Sequence, residues 1–289
     1  MNLEERADIL LRHQRNEITE HHIYRRLALR QEFGPNRQVL EGIAADEKRH
    51  YEQWKKRTGC DVPPDWGRVR LYCLLVRVFG LTFGLKLMER GELKAQLAYA
   101  RLREEDPEVQ PIMAEEHEHE QMLLGLLDEE RLRYIGSVVL GLNDALVELT
   151  GALAGLTLAL RNGKLIAMTG SITGIAAALS MAASEYLSTK TEGKGQHPVK
   201  AALYTGTTYL LTVIILVVPY LVLPNFYWAL GCTLSLAIII IAFFNYYVAV
   251  ARDQPFAKRF FEMATLSLSV AAVSFVVGLL LQKLAGTEI

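Results

Sequence analysis

After Tyr134 the chain holds five long apolar runs, near Tyr134 to Leu160, Leu165 to Leu187, Ala201 to Leu223, Phe226 to Val250 and Phe261 to Leu284. A helix needs roughly 20 residues to cross about 30 Å of hydrocarbon, and lipid offers no partners for backbone N–H and C=O groups. Runs of this length therefore predict five membrane-spanning helices. The chain ahead of them is dense in Glu, Arg, Lys and His, so the overall hydrophobic share of 51% averages over two different solvents. The boundary separates a water-soluble domain at 1–131 from a membrane domain at 132–289, both all-α.

Orientation follows from the cationic flanks, which are retained in the cytoplasm. Arg131 and Arg133 precede the first run, Lys190, Lys194 and Lys200 follow the second, and Arg252, Lys258 and Arg259 follow the fourth. The other side carries only Arg161, Lys164 and Lys283. The N-terminal domain is expected in the cytoplasm and the C-terminus on the opposite side. The opening MNLEERADILLRHQRNE is too charged for a secretory signal. A formal net charge of -1, with no basic surface interleaved with aromatics, speaks against nucleic acid as a partner. Cys60, Cys73 and Cys232 form no C-x-x-C pair, which removes a thiolate zinc site or a disulfide framework from consideration.

Small residues recur at packing intervals in the spans, as Gly151 with Gly155 and Gly170 with Gly174. The polar residues there carry chemistry. Asp144 and Glu148 lie one turn apart, and the second run ends in SMAASEYLS with Met181 and Glu185. A charged side chain at the bilayer centre costs about 2.5–3.5 kcal/mol on insertion scales, so it faces a cavity, a partner or a pathway. Asp144 and Met181 each sit about ten residues from the cytoplasmic end of neighbouring antiparallel helices, at matching depth. Oxygen plus thioether suits a borderline transition metal better than Mg²⁺ or Ca²⁺. The plainer alternatives are packing for Met181, an interfacial position for Glu185 and a bond to a neighbouring helix for Glu148.

The segments GLNDALVELTGALAGL and SMAASEYLSTKTE resemble the signature segments of the vacuolar iron transporter family, over a stretch from about Tyr134 to the end. That resemblance implies a five-helix homodimeric carrier that exchanges Fe²⁺ for protons. By motif position it places the pore carboxylate at Asp144, the pore methionine at Met181 and a further glutamate at Glu185. Ala145 and Ser184 stand where the family has glycines. The loop after the second span is only STKTEGKGQHPVK, in which His197 reads as an ordinary loop residue, and lacks the glutamate-rich metal-collecting segment of plant members. Metal capture then falls to the N-terminal domain.

In that domain, IAADEKRH and IMAEEHEH align residue for residue, pairing Glu47 and His50 with Glu116 and His119. Residues three apart share one helix face. Glu17 precedes Tyr24 by seven positions, nearly two turns, and Glu92 precedes Tyr99 in the same way. One Glu from each of two helices and a Glu-x-x-His from each of two others is the ligand set of a di-iron carboxylate site in a four-helix bundle. The bundle helices are expected near Leu3 to Glu32, Asn36 to Arg57, Thr82 to Glu105 and Glu108 to Arg131. The apolar segment 71–88 reads either as an extension of the third helix or as a surface for a second protomer or the membrane.

This half resembles the ferritin-like superfamily, and most closely its rubrerythrin branch. The resemblance implies a di-iron centre (Fe²⁺/Fe³⁺, or Mn²⁺) held by Glu17, Glu47, His50, Glu92, Glu116 and His119. It adds Glu89 beside the metals and puts Tyr24 and Tyr99 behind the ligands or in the bundle core. The four-cysteine rubredoxin module of that branch has no counterpart here. The fusion resembles the bacterial membrane-bound ferritins associated with iron export. The expected function is a proton-coupled Fe²⁺ exporter of a bacterial inner membrane. The rivals are a membrane-anchored ferroxidase or peroxidase and an iron or redox sensor gating the pore.

Overall fold

A computed structural model describes residues 3–98, 119, 122, 133–192, 196–252 and 254–284, with the backbone alone at 3–6 and 91–98. Every regular element among the described residues is an α-helix. The chain divides into two compact units, Met1–Glu129 and Glu130–Ile289.

The first unit is built on α1 (Leu3–Ala28) and α2 (Pro35–Thr58). Gln14 reaches Cys60, Glu17 meets Trp54 and His21 meets Ala44, so the two helices run antiparallel. Pro35 sits in the first turn of α2, where its missing N–H costs nothing. Gly59 ends that helix in the left-handed region at φ 69°, returning its N–H to Lys55. Lys55, Lys56 and Arg57 in the last turn face the negative end of the helix dipole. Ile23, Leu27, Leu40 and Ile43 fill the interface and meet Val69, Cys73, Leu81 and Leu85 from the following helices.

Those following helices revise one expectation. The third rod starts where expected, within one residue of Thr82, but segment 71–88 is not its extension: α3 (Trp66–Phe79) is a separate helix, and α4 (Leu81–Ala98) starts after it. Asp65 caps α3 by accepting the Arg68 N–H. Gly80, at φ 95°, breaks it in a conformation that L side chains rarely adopt. Helix α3 turns Val69 and Cys73 inward and accepts a hydrogen bond from Arg30 on the Cys73 carbonyl. Of the fourth expected helix, only His119 and Met122 lie within the described residues.

The second unit contains α5 (Ile135–Leu160), α6 (Gly163–Glu192), α7 (Pro198–Val222), α8 (Phe226–Ala251) and α9 (Phe256–Leu284). All five are long and apolar enough to cross a membrane. The expected ends move outward on α6 and α9, because a helix keeps its internal hydrogen bonds past the hydrocarbon edge and carries its polar ends, such as Lys190 and Glu192, into the interface. Helix α5 packs against the other four and is the most buried, whereas the rest expose broad Leu, Ile and Val faces suited to lipid.

The glycine intervals are the contacts they were expected to be. A Cβ on Gly151 would strike Val270, and one on Gly174 would strike Val213. Backbone meets backbone between α5 and α9, where a Cβ on Gly278 would lie 2.4 Å from the Gly155 carbonyl oxygen, and between α5 and α7, where one on Gly141 would lie 2.4 Å from that of Thr205. Backbone cannot move aside as a flexible side chain can. Gly278→Val is therefore expected to cost about 1–3 kcal/mol by overpacking. Gly231→Val, at a position with open space around it, should change little. Thermal denaturation of both variants in detergent checks the contrast.

Candidate metal centre

At one level of the α1–α2 interface, Glu17, Glu47 and His50 are all buried. Each offers one ligand atom, and those atoms lie within 4.8 Å of one another. The spacing explains the convergence. Glu47, His50 and Trp54 step by three and four residues along α2, so one face of that helix looks at Glu17 on α1. Trp54 donates its indole N–H to Glu17 Oε1 at 3.0 Å and fixes that carboxylate. His13, one turn before Glu17, stacks on the indole.

Glu47 stands between two imidazoles. Its Oε2 is 3.7 Å from His50 Nδ1, and its Oε1 is 3.4 Å from His119 Nδ1. Glu17 Oε2 lies 3.5 Å from the same His50 nitrogen. The two imidazole rings are nearly parallel with centroids 6.0 Å apart. Glu47 thus turns one carboxylate oxygen to each of two imidazole nitrogens.

His119 is oriented from its far side. Its Nε2 is 3.0 Å from Asp46 Oδ2, and with the proton on that nitrogen the Nδ1 lone pair is presented toward Glu47. A metal-binding imidazole characteristically donates its other N–H to a carboxylate, which fixes ring and tautomer. Burial would raise the Asp46 carboxyl, but hydrogen bonds from His119 and Arg49, with their positive charge, hold it below its ordinary value. Arg49 lies 2.5 Å from Asp46 Oδ1.

Glu17 moves the other way. Burial pushes its carboxyl up to about 7; the nearby His50 imidazole opposes this, and the neighbouring Glu47 charge reinforces it. Glu17 Oε2 and Glu47 Oε2 are fully enclosed and accept no hydrogen bond from a described residue. Two buried carboxylates with bare oxygens are costly unless a cation neutralises them. Oxygen and imidazole donors around such a gap fit Fe²⁺ or Mn²⁺.

Of the expected ligands, then, the structure brings Glu17, Glu47, His50 and His119 together. Glu116, Tyr99 and the Glu92 side chain lie outside the described residues. Glu89 is half-buried and pairs with Lys86 at 3.0 Å. Tyr24 is buried among Ile23, Leu27 and Leu40, in the apolar core. Sequence reasoning missed Asp46 and Trp54. The signals were the acid immediately before Glu47 and the continuation of its helix face four residues past His50.

In the second unit, Asp144 is half-buried on α5 and makes no hydrogen bond to a described residue. Glu148, one turn on, accepts a hydrogen bond from Tyr209 of α7 at 2.8 Å. Glu185 is half-buried and accepts one from Ser137 of α5 at 2.6 Å. Met181 is half-buried against the apolar core. Ala145 is fully buried, while Ser184 is exposed. Tyr209 and Ser137, the partners of the two glutamates, were not singled out from the sequence.

A model of the VIT family matches residues 135–196, which span α5, α6 and the loop that follows and include Asp144, Glu148, Met181 and Glu185. Comparison with curated proteins and with solved structures found no match.

Two outcomes follow from the α1–α2 cluster. Asp46→Ala should lower Fe²⁺ affinity about 10–100-fold while leaving the helical circular dichroism unchanged, because it removes only the group behind His119; anaerobic titration reads this. The second concerns pH. Glu17 binds its proton more tightly folded than unfolded, so its contribution to stability is complete below the unfolded value near 4.5 and is lost as pH rises to about 7. In metal-free protein, amide protection of α1 and α2, corrected for intrinsic exchange, should fall over that window. Added Fe²⁺ should restore it at pH 7.5.

Proposed function

We propose that the chain moves a divalent transition metal, with Fe²⁺ as the cargo, out of the cytoplasm through its five-helix unit, and that its first unit is a cytoplasmic di-iron domain that captures or oxidises iron. The observation that carries the transport reading is the VIT family match over α5 and α6, a family resemblance that implies iron transport, centred on helices where Asp144 places a carboxylate within a membrane-length segment. Asp144, Met181, Glu148 and Glu185 form the polar route. Asp144 offers the cation oxygen in place of water, and Met181 adds a soft donor from α6. Tyr209 holds Glu148, and Ser137 holds Glu185, so two of the carboxylates are positioned before a cation arrives. A carboxylate that exchanges metal for H⁺ as its exposure changes couples the cycle to protons.

The first unit would hold its metal pair through Glu17, Glu47, His50 and His119, with Glu92 and Glu116 completing the set by their spacing. When bound, that pair supplies one-electron redox chemistry. The protein's own part is to present Glu47 to both imidazoles, to fix Glu17 through Trp54, to orient His119 through Asp46 and to release the Glu17 proton as a cation enters. The distribution of Lys and Arg supports a cytoplasmic first unit, and the family resemblance supports a homodimer in a bacterial inner membrane. The buried cluster also favours a second reading, a membrane-anchored ferroxidase or peroxidase. In a third, the cluster senses iron and gates the pore.

Proteoliposomes loaded with a metal-sensitive dye separate these readings. Asp144→Ala is expected to reduce Fe²⁺ flux at least about tenfold while the first unit still binds iron; undiminished flux would remove the pore assignment. Glu47→Ala with Glu116→Ala should abolish iron binding in the first unit and slow flux with it. Flux at full rate in that variant would transfer the weight to the enzyme or sensor reading.

A further inference from the structure

Helix α3 has two faces. Val69 and Cys73 are buried against α1, whereas Leu71, Leu74 and Val78 are each more than half exposed. At about 100° per residue those three fall within an arc of about 60°, on the side opposite Val69 and Cys73. Arg70 and Arg77 are exposed beside this arc. Neither forms an ion pair with a described residue. From Trp66 to Met88 the sequence contains four basic residues, Arg68, Arg70, Arg77 and Lys86, and no acidic one. Arg68 is turned inward to Asn16 and Glu20, which leaves Arg70 and Arg77 as the outward charges.

An apolar stripe edged by arginines is poorly suited to bulk water. It suits the boundary layer of an anionic bilayer, where the side chains enter the acyl region and the guanidinium groups reach the phosphates. The five apolar helices in the same chain keep such a surface within reach of lipid. Short as it is, α3 does not need to anchor anything, only to dock a domain that is already tethered. We infer that α3 is an interfacial helix: the Leu71, Leu74 and Val78 stripe lies on the membrane surface, with Arg70 and Arg77 on anionic headgroups. This rests on the membrane-spanning reading of α5 to α9 and goes beyond the transport proposal. It assigns the apolar segment a lipid partner.

The test uses the full chain in nanodiscs, with Cys60 and Cys232, both exposed, replaced by serine. Nitroxide labels are placed singly by Leu74→Cys, Gln53→Cys and Ile239→Cys. Collision with oxygen, which concentrates in lipid, is compared with collision with a water-soluble nickel chelate. With phosphatidylglycerol present, the label at position 74 should favour oxygen, as the label at 239 on the lipid-facing side of α8 does, while the label at 53 favours nickel. Pure phosphatidylcholine should release the label at 74. Arg70→Gln with Arg77→Gln should lower its docked-to-free ratio about 30-fold in anionic discs, at roughly five- to sixfold for each basic residue removed. A label at 74 that matches position 53 in every lipid overturns the inference. So does one shielded from both reagents regardless of lipid charge, which would mean that a second copy covers the stripe. A label at 239 open to nickel would instead overturn the membrane reading itself.

Discussion

The cost of enclosing Glu17 and Glu47 between α1 and α2 organises the first unit. Neither carboxylate can be fully hydrated there, and each keeps one oxygen without a hydrogen bond from a described residue. Around them the chain has assembled the groups that make such a burial tolerable: an indole N–H on Glu17, an imidazole beside both carboxylates and a second imidazole aimed by Asp46. Apolar packing by Ile23, Leu27, Leu40 and Ile43 supplies the rigidity that holds these donors in place.

The membrane unit meets the same constraint in a different solvent. Its polar side chains are drawn into bonds between helices, as with Tyr209 and Glu148, Ser137 and Glu185, and Thr157 with Tyr220. Some of the other hydroxyl groups return to their own backbone, as Thr212 and Ser235 do. Asp144 stands apart from this pattern.

Much of this was legible in the sequence because two periodicities are strong. Length and apolarity alone marked α5 to α9, and the repeated Glu-x-x-His spacing brought Glu47, His50 and His119 to the same place as Glu17. The break at Gly80 was not legible, since a single glycine in an apolar helical run is compatible with continuation, and only its positive φ ends α3. Asp46 was hidden for another reason. Its role depends on a residue 73 positions away, and a spacing rule within one helix carries no information about which neighbour lies across the interface. Trp54 escaped notice because an aromatic on an inward face is ordinarily core, and its indole N–H acquires meaning only once Glu17 is beside it.

The backbone contact between Gly155 and Gly278 leaves no side-chain cushion between α5 and α9, and Ser267 adds a hydrogen bond to the Leu146 carbonyl at 3.0 Å. Sliding or tilting one helix against the other would drive carbonyl groups into Cα atoms. These two helices are therefore expected to move together as a single strut in any rearrangement of the second unit, and α7 is held to α5 in the same way where a Cβ on Gly141 would lie 2.4 Å from the Thr205 carbonyl oxygen.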